Sequence, residues 1–302
     1  MVAIIDTHHH LWDLERLELP WVSSIPQLNR SFRMPDYLTA VHDQAIAATV
    51  YMEVNVVEAQ HQQEIDYVTA LCEDADNPMQ GAVVAGEPAA ADFEEYVAKL
   101  KGNPWVKGVR RVLHPPDMPP GECLRDEFVR GVQNLGEQGL IFDICIRPAE
   151  LQDAVALVTR CPQTTFVIDH CGNADPYVVS GARPPGSETP DKVLFFPHAG
   201  DGWRRAMQAL ADQPNTNCKI SGIVARANES WTPADLAPTV DFCLDVFGDE
   251  RVVFGGDWPV CTLGAAFHQW ADALRTIIQD RPGPLQNKLL HENARRLYGL
   301  PG

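Results

Sequence analysis

Positive charge is scarce in this chain: 24 Lys and Arg stand against 41 Asp and Glu, a formal net charge of −17. A surface so acidic repels phosphate backbones and anionic lipid, which argues against nucleic-acid and membrane partners. No apolar run approaches the roughly 20 residues needed to cross a bilayer. The first residues also lack the basic-then-apolar pattern of a secretory leader, because Asp6 interrupts it. Eight cysteines are present (72, 123, 145, 161, 171, 218, 243 and 261), yet none form a Cys-x-x-Cys pair, so a zinc ribbon or thioredoxin-type site is not expected. Several lie in apolar runs, as Cys145 does, and read as buried reduced thiols of a cytoplasmic protein. Two catalytic signatures are missing as well. There is no Gly-x-Ser-x-Gly elbow for a serine hydrolase, and no glycine fingerprint follows the first strand, where a dinucleotide-binding fold would carry one.

That first turn holds histidines instead. Met1–Ile5 reads as a short buried strand and runs into Asp6-Thr7-His8-His9-His10. Side chains alternate along a strand, so His8 and His10 share one face and His9 takes the other. Two imidazoles so placed can chelate one divalent metal without loop rearrangement. Three histidines enclosed by Asp6-Thr7 and Leu11-Trp12-Asp13 are not an expression tag.

Strand-like runs recur at 2–6, 46–53, 81–86, 107–112, 140–145, 165–170, 217–222 and 252–257. Amphipathic stretches separate them, among them 60–75, 92–101, 126–138, 149–159, 203–211 and 233–247. Strand–helix alternation argues for a parallel sheet, and eight such units in 302 residues fit a closed (β/α)8 TIM barrel better than a doubly wound open sheet. One domain is expected over 1–302, with long loops 12–37 and 173–202 over the carboxyl-terminal mouth, where such barrels place their active sites.

Polar residues should then converge from the strand ends. The sequence offers His8 and His10, Glu53, Glu87, Arg110-Arg111 with His114, Asp143 with Arg147, Asp169-His170, Lys219 with Ser221, and Asp257. Glu53 sits in an apolar run, where an unpaired carboxylate is costly, so it needs a cation or a donor. Beside two histidines it would complete a nitrogen–oxygen shell suited to zinc. Lys219 and Asp143 can pair inside the barrel. Arg111 is taken as the inward arginine, although alternation alone leaves Arg110 open.

Asp6-x-His8-x-His10, Lys107-Gly108-Val109-Arg110-Arg111-Val112-Leu113, Ile168-Asp169-His170-Cys171-Gly172, Phe254-Gly255-Gly256-Asp257-Trp258-Pro259 and the tail Glu292–Gly299 occur in order along the chain. This set resembles the amidohydrolase superfamily, in particular its amidohydrolase-2 branch and the sugar-lactonase group within it. The bridging carboxylated lysine and strand-five histidine of binuclear members are replaced here by Arg110-Arg111 and Asp143, so the resemblance implies one divalent ion, zinc first, held by His8, His10, Glu53, His170 and Asp257. A metal-free mechanism is also known in that branch. The implied activity is lactone hydrolysis, with Asp257 as general base, His170 as ligand or oxyanion donor, and Arg111 supporting charge on the substrate. Trp12, Trp258, His114 and Arg111 are expected to line the substrate site, whereas Trp21 is expected to pack the rim. Non-oxidative decarboxylation of a small acid is the alternative chemistry, and a non-catalytic binding barrel a third reading.

Overall fold

The computed structural model of the chain describes residues 2–183 and 196–302. Eight strands lie side by side in chain order, each neighbouring pair parallel: β1 (Ile4–His9), β2 (Ile46–Met52), β3 (Met79–Ala85), β4 (Val106–Leu113), β5 (Ile141–Ile146), β6 (Phe166–Ile168), β7 (Thr216–Ile220) and β8 (Val252–Phe254). The ring closes between β8 and β1. There His9 bridges Trp258, the Asp257 N–H donates to His8 O at 2.6 Å, and the His10 N–H donates to Trp258 O at 2.7 Å. Helices α1 (Met34–Ala40), α2 (His61–Glu73), α3 (Phe93–Lys101), α4 (Asp126–Glu137), α5 (Leu151–Arg160), α6 (Gly200–Ala211), α7 (Pro233–Phe247) and α8 (Phe267–Ile278) follow the strands in turn. This is a (β/α)8 TIM barrel. Strands β6 and β8 are shorter than 165–170 and 252–257, because Asp169-His170 and Gly255-Gly256-Asp257 leave the ladder to enter the mouth.

Both faces of a parallel sheet are covered, which is why its strands read as near-continuous apolar runs. Ile5, Val50, Val83, Val167 and Val253 fill the barrel interior, and Tyr298 and Leu300 of the carboxyl-terminal tail pack against them. Ile4, Val109, Phe142, Ile168 and Phe254 face the helices in a larger outer core. All eight cysteines are free and buried. No helix among the described residues is long and apolar enough to cross a membrane. Of the mouth loops, 12–37 is pinched at its neck by two Trp12–Phe32 backbone hydrogen bonds of 2.8 Å. The 184–195 portion of loop 173–202 lies outside the described residues.

Glu64 on α2 is fully buried and accepts from Tyr51 Oη at 2.8 Å and Val54 N at 2.9 Å. Burial, helped by the Glu53 charge, pushes its carboxyl up to about 8 from 4.5. The native state therefore holds a proton that the unfolded chain has released, so this group's contribution to stability falls as pH rises from 4.5 towards about 8. Glu64→Gln cannot ionise, and its unfolding free energy is expected to vary less with pH over that window than the wild type's. Equal slopes in urea titrations across the window would assign the pH dependence elsewhere.

Candidate active site

β1 does not run straight into the mouth. Its register against β2 slips between Asp6 and His9, so three steps of β1 span two of β2. Such a bulge re-aims side chains. Asp6 and His9 thereby approach α1: Asp6 Oδ2 accepts from Tyr37 Oη at 2.9 Å, and the His9 ring lies 4.6 Å from that of Tyr37. Asp6 Oδ1 accepts from Gly256 N at 2.7 Å and His8 N at 3.0 Å, tying the end of β8 to β1.

His8 and His10 meet on the barrel axis, ring centroids 4.8 Å apart. Asp257 Oδ1 lies 3.7 Å from His8 Nε2 and 3.4 Å from His10 Nε2. Met52 O, which can only accept, sits 2.9 Å from His10 Nδ1. Nδ1 therefore donates to that carbonyl, which leaves Nε2 facing Asp257. Burial pushes the Asp257 carboxyl up, but His170, His10 and Arg226 outweigh it and hold the group below the usual range. It is ionised at neutral pH.

Beneath this group lies a buried ion network. Lys219 Nζ contacts Asp143 Oδ2 at 2.6 Å and Asp169 Oδ1 at 3.0 Å. Asp169 also reaches His8 Nδ1 at 3.4 Å and Arg110 Nη1 at 3.3 Å. Two expectations change here. The inward arginine is Arg110, 5% exposed, while Arg111 lies on the opposite face of β4 and pairs with Glu87 at 2.6 Å. The phase of the pleat decides this, since Arg110 stands opposite inward Asp143 in the β4–β5 register. Glu53 is not gathered with the histidines as a ligand. Its Oε1 accepts from Arg110 Nε at 2.6 Å and its Oε2 from Asn55 N at 2.6 Å, so its required cation is Arg110.

His170 enters from a turn that is left-handed over four residues, with φ of 54, 52, 67 and 56° for His170, Cys171, Gly172 and Asn173. Left-handed backbone costs about 1–2 kcal/mol per non-glycine residue and persists only where surroundings enforce it. Here Asn173 Nδ2 donates to Ile146 O at 2.8 Å, and Ser221 Oγ sits 2.9 Å from His170 Nδ1. Gly222, at φ +67°, is required beside it: a Cβ there would meet His170 Nδ1 at 2.3 Å. Burial pushes the His170 imidazole down to about 4, so it is neutral.

The mouth encloses a cavity of about 580 Å³, lined in part by His10, Arg110, His114, His170, Arg226 and Asp257. The aromatic wall differs from expectation. Trp12 is wholly buried and donates to Arg30 O at 2.6 Å. Trp258 follows an inward-facing Asp257, so it turns outward and packs on Phe32 and Tyr37 with centroids 5.4 and 5.5 Å away. Trp21, held by a 2.8 Å bond to Val54 O, and Phe196 line the cavity instead. Sequence reasoning also passed over Asp169 as an orienting group, although it lies within a quoted motif. Arg226 was missed because it lies six residues beyond β7, at the end of a short turn that carries no periodic signal.

The donors fit a divalent ion. His8, His10 and Asp257 each offer one ligand atom within 4.8 Å of the others, and His8, Asp169 and His170 form a second such group. Neutral imidazole and carboxylate are the donors zinc takes. A (β/α)8 barrel that collects histidines and an ionised aspartate at its strand ends has the equipment of a hydrolytic enzyme. The amidohydrolase family model matches residues 5–300, and the chain belongs to that family. It is 29% identical over 308 residues to L-fucono-1,5-lactonase of Burkholderia multivorans, covering 98% of this chain and 96% of the other. A second L-fucono-1,5-lactonase, from Burkholderia ambifaria, is 26% identical over 271 residues, 88% of this chain and 84% of the other. The crystal structure of a zinc-bound amidohydrolase from Burkholderia multivorans superposes with a TM-score of 0.80 at 26% identity, covering 99% of this chain and all of that one.

Proposed function

We propose that this enzyme hydrolyses a small sugar-type lactone. The observation that carries the reading is an ionised Asp257 lying 3.7 Å from His8 Nε2 and 3.4 Å from His10 Nε2, beside a cavity large enough for a sugar ring, and similarity to two lactonases supports it. Lactone opening needs an activated water, a polarised carbonyl and a place for the negative charge that develops. Asp257 Oδ1 faces His8 and His10, while Oδ2 has no protein partner among the described residues. Oδ2 accepts the proton of the attacking water, and the acid so formed returns it to the departing ring oxygen. His170, fixed by Ser221 and Gly222, presents Nε2 to the same space. Trp21 and Phe196 offer apolar surface to the sugar ring. Arg110, locked onto Glu53 and Asp169, sets the potential under His8. One zinc-like ion held by His8, His10 and Asp257, with His170 within reach, would act as a Lewis acid towards the carbonyl or lower the water's pKa.

The test is a pH-indicator screen of aldonolactones with protein purified without a histidine tag, run beside elemental analysis and chelation. Acid release from at least one lactone is expected, with close to one equivalent of a divalent ion and loss of activity on chelation. Full activity after complete chelation would leave His8, His10 and His170 polarising the carbonyl by hydrogen bonds. Release of CO₂ from aromatic acids without lactone turnover would replace the hydrolytic reading with decarboxylation.

A further inference from the structure

Arg226 is the anomaly of the cavity. It ends the short turn Ile223–Arg226 after β7, is 6% exposed and lines the same space as Asp257 and His170. Every other arginine lining that space has an acidic partner: Arg110 has Glu53 at 2.6 Å and Arg147 has Glu150 at 2.8 Å. Arg226 has none among the described residues. Nη1 donates to Gly222 O at 3.0 Å, Nη2 donates to Asn173 Oδ1, and Nε is buried with no partner. Two of its five N–H donors are taken, both by uncharged oxygens.

A purely structural tie between Gly222 and Asn173 would not need a charge. Burying a cation without a counter-ion costs several kcal/mol, so a cavity-lining guanidinium with no acidic partner among the described residues calls for an anion there. The charge of Asp257 is felt by Arg226, yet the two groups do not touch. A base and a cation thus border one space across a gap, which is the arrangement that hydrolysis of an ester-type carbonyl uses. The neutral lactone carries no charge to offer. Attack of water converts the carbonyl into an oxyanion, and cleavage of the ring C–O bond leaves a carboxylate on that carbon and a hydroxyl on the departing oxygen.

We infer that Arg226 is a catalytic residue that receives the negative charge created by ring opening, first on the oxyanion and then on the product carboxylate. The inference rests on the lactonase reading above. Asn173 on the left-handed turn and the Gly222 carbonyl hold the guanidinium in place, so the turn that delivers His170 also positions the anion receptor. A planar fork suits two carboxylate oxygens, which an ammonium does not.

Arg226→Lys and Arg226→Ala, with folding checked by circular dichroism, are expected to lower kcat on the best neutral lactone about 10²-fold, the scale of losing an oxyanion donor, with a far smaller change in KM. Free guanidinium ion should restore part of the kcat of Arg226→Ala. Inhibition by the ring-opened acid should weaken at least about tenfold in both variants. Formate, titrated against the fluorescence of Trp21 and its neighbours, gives a readout that needs no turnover: saturable binding to the wild type, and weaker binding to Arg226→Lys. Should the alanine variant fail to fold, the lysine variant carries the comparison. Unchanged kcat and product inhibition in a folded variant overturn the role of Arg226 and leave lactonase activity intact. If the wild type opens no lactone, the functional reading fails, and formate binding that is equal in both proteins, or absent, overturns the anion receptor separately.

Discussion

Replacing Asp257 with Asn is expected to reduce lactone turnover between about 10²- and 10⁴-fold, the range for loss of a positioned general base. Asn keeps the size of the side chain and can still accept from one neighbour, but it cannot take a proton. Oδ1 now lies 3.4 Å from His10 Nε2 and 3.7 Å from His8 Nε2, in a site where Asp257 is 3% exposed. The barrel should persist, because the Asp257 backbone N–H, not its side chain, makes the 2.6 Å bond to His8 O that helps close β8 onto β1. Metal content measured on the same sample separates a lost base from a lost ligand. Turnover within a few-fold of wild type would place the base elsewhere.

The second large effect concerns stability. Lys219 is wholly buried and is the cation shared by Asp143 and Asp169. Burial lowers the pKa of its ammonium, but Asp143 and Asp169 outweigh that and hold it above the usual lysine range. Lys219→Met removes the charge and leaves Asp143 without its cation, beside an Asp169 that keeps only Arg110, at 3.3 Å. Breaking a buried pair in this way costs about 3–5 kcal/mol, to be read as a shift of the urea midpoint. Burial already pushes the Asp143 carboxyl up to about 7 against the pull of Lys219. Without that pull its native pKa rises further, so the native variant binds a proton more tightly than the unfolded chain. The variant's deficit should accordingly shrink as pH falls and grow as it rises. A midpoint shift equivalent to less than about 1 kcal/mol would mean that the interior tolerates an unpaired Asp143, against the expected cost of such a break.

The candidate site is assembled from groups that no stretch of sequence brings together. Asp169 touches Lys219, Arg110 and His8, from three other strands. Arg110 and Glu53 are 57 residues apart. Their pairing changes Glu53 from an expected ligand into the counter-ion of an arginine. That leaves Asp257 and Asp169 as the carboxylates that share candidate ion sites with the histidines.

What the sequence by itself determined is the architecture and the address of the site. Apolar periodicity is a one-dimensional signal, so eight runs with helices between them specify a barrel, and residues just after those runs reach its mouth. His8, His10, His170 and Asp257 were legible for that reason. Only the tertiary structure decided which way their neighbours point. The bulge in β1 aims Asp6 and His9 at α1, the pleat phase of β4 chooses Arg110 over Arg111, and the closure of β8 onto β1 turns Trp258 outward. A left-handed turn and a glycine bring His170, Asn173 and Arg226 together. Each of these outcomes depends on a one-residue register or a contact across the barrel. Side-chain direction reverses with every residue along a strand, so local composition cannot encode it.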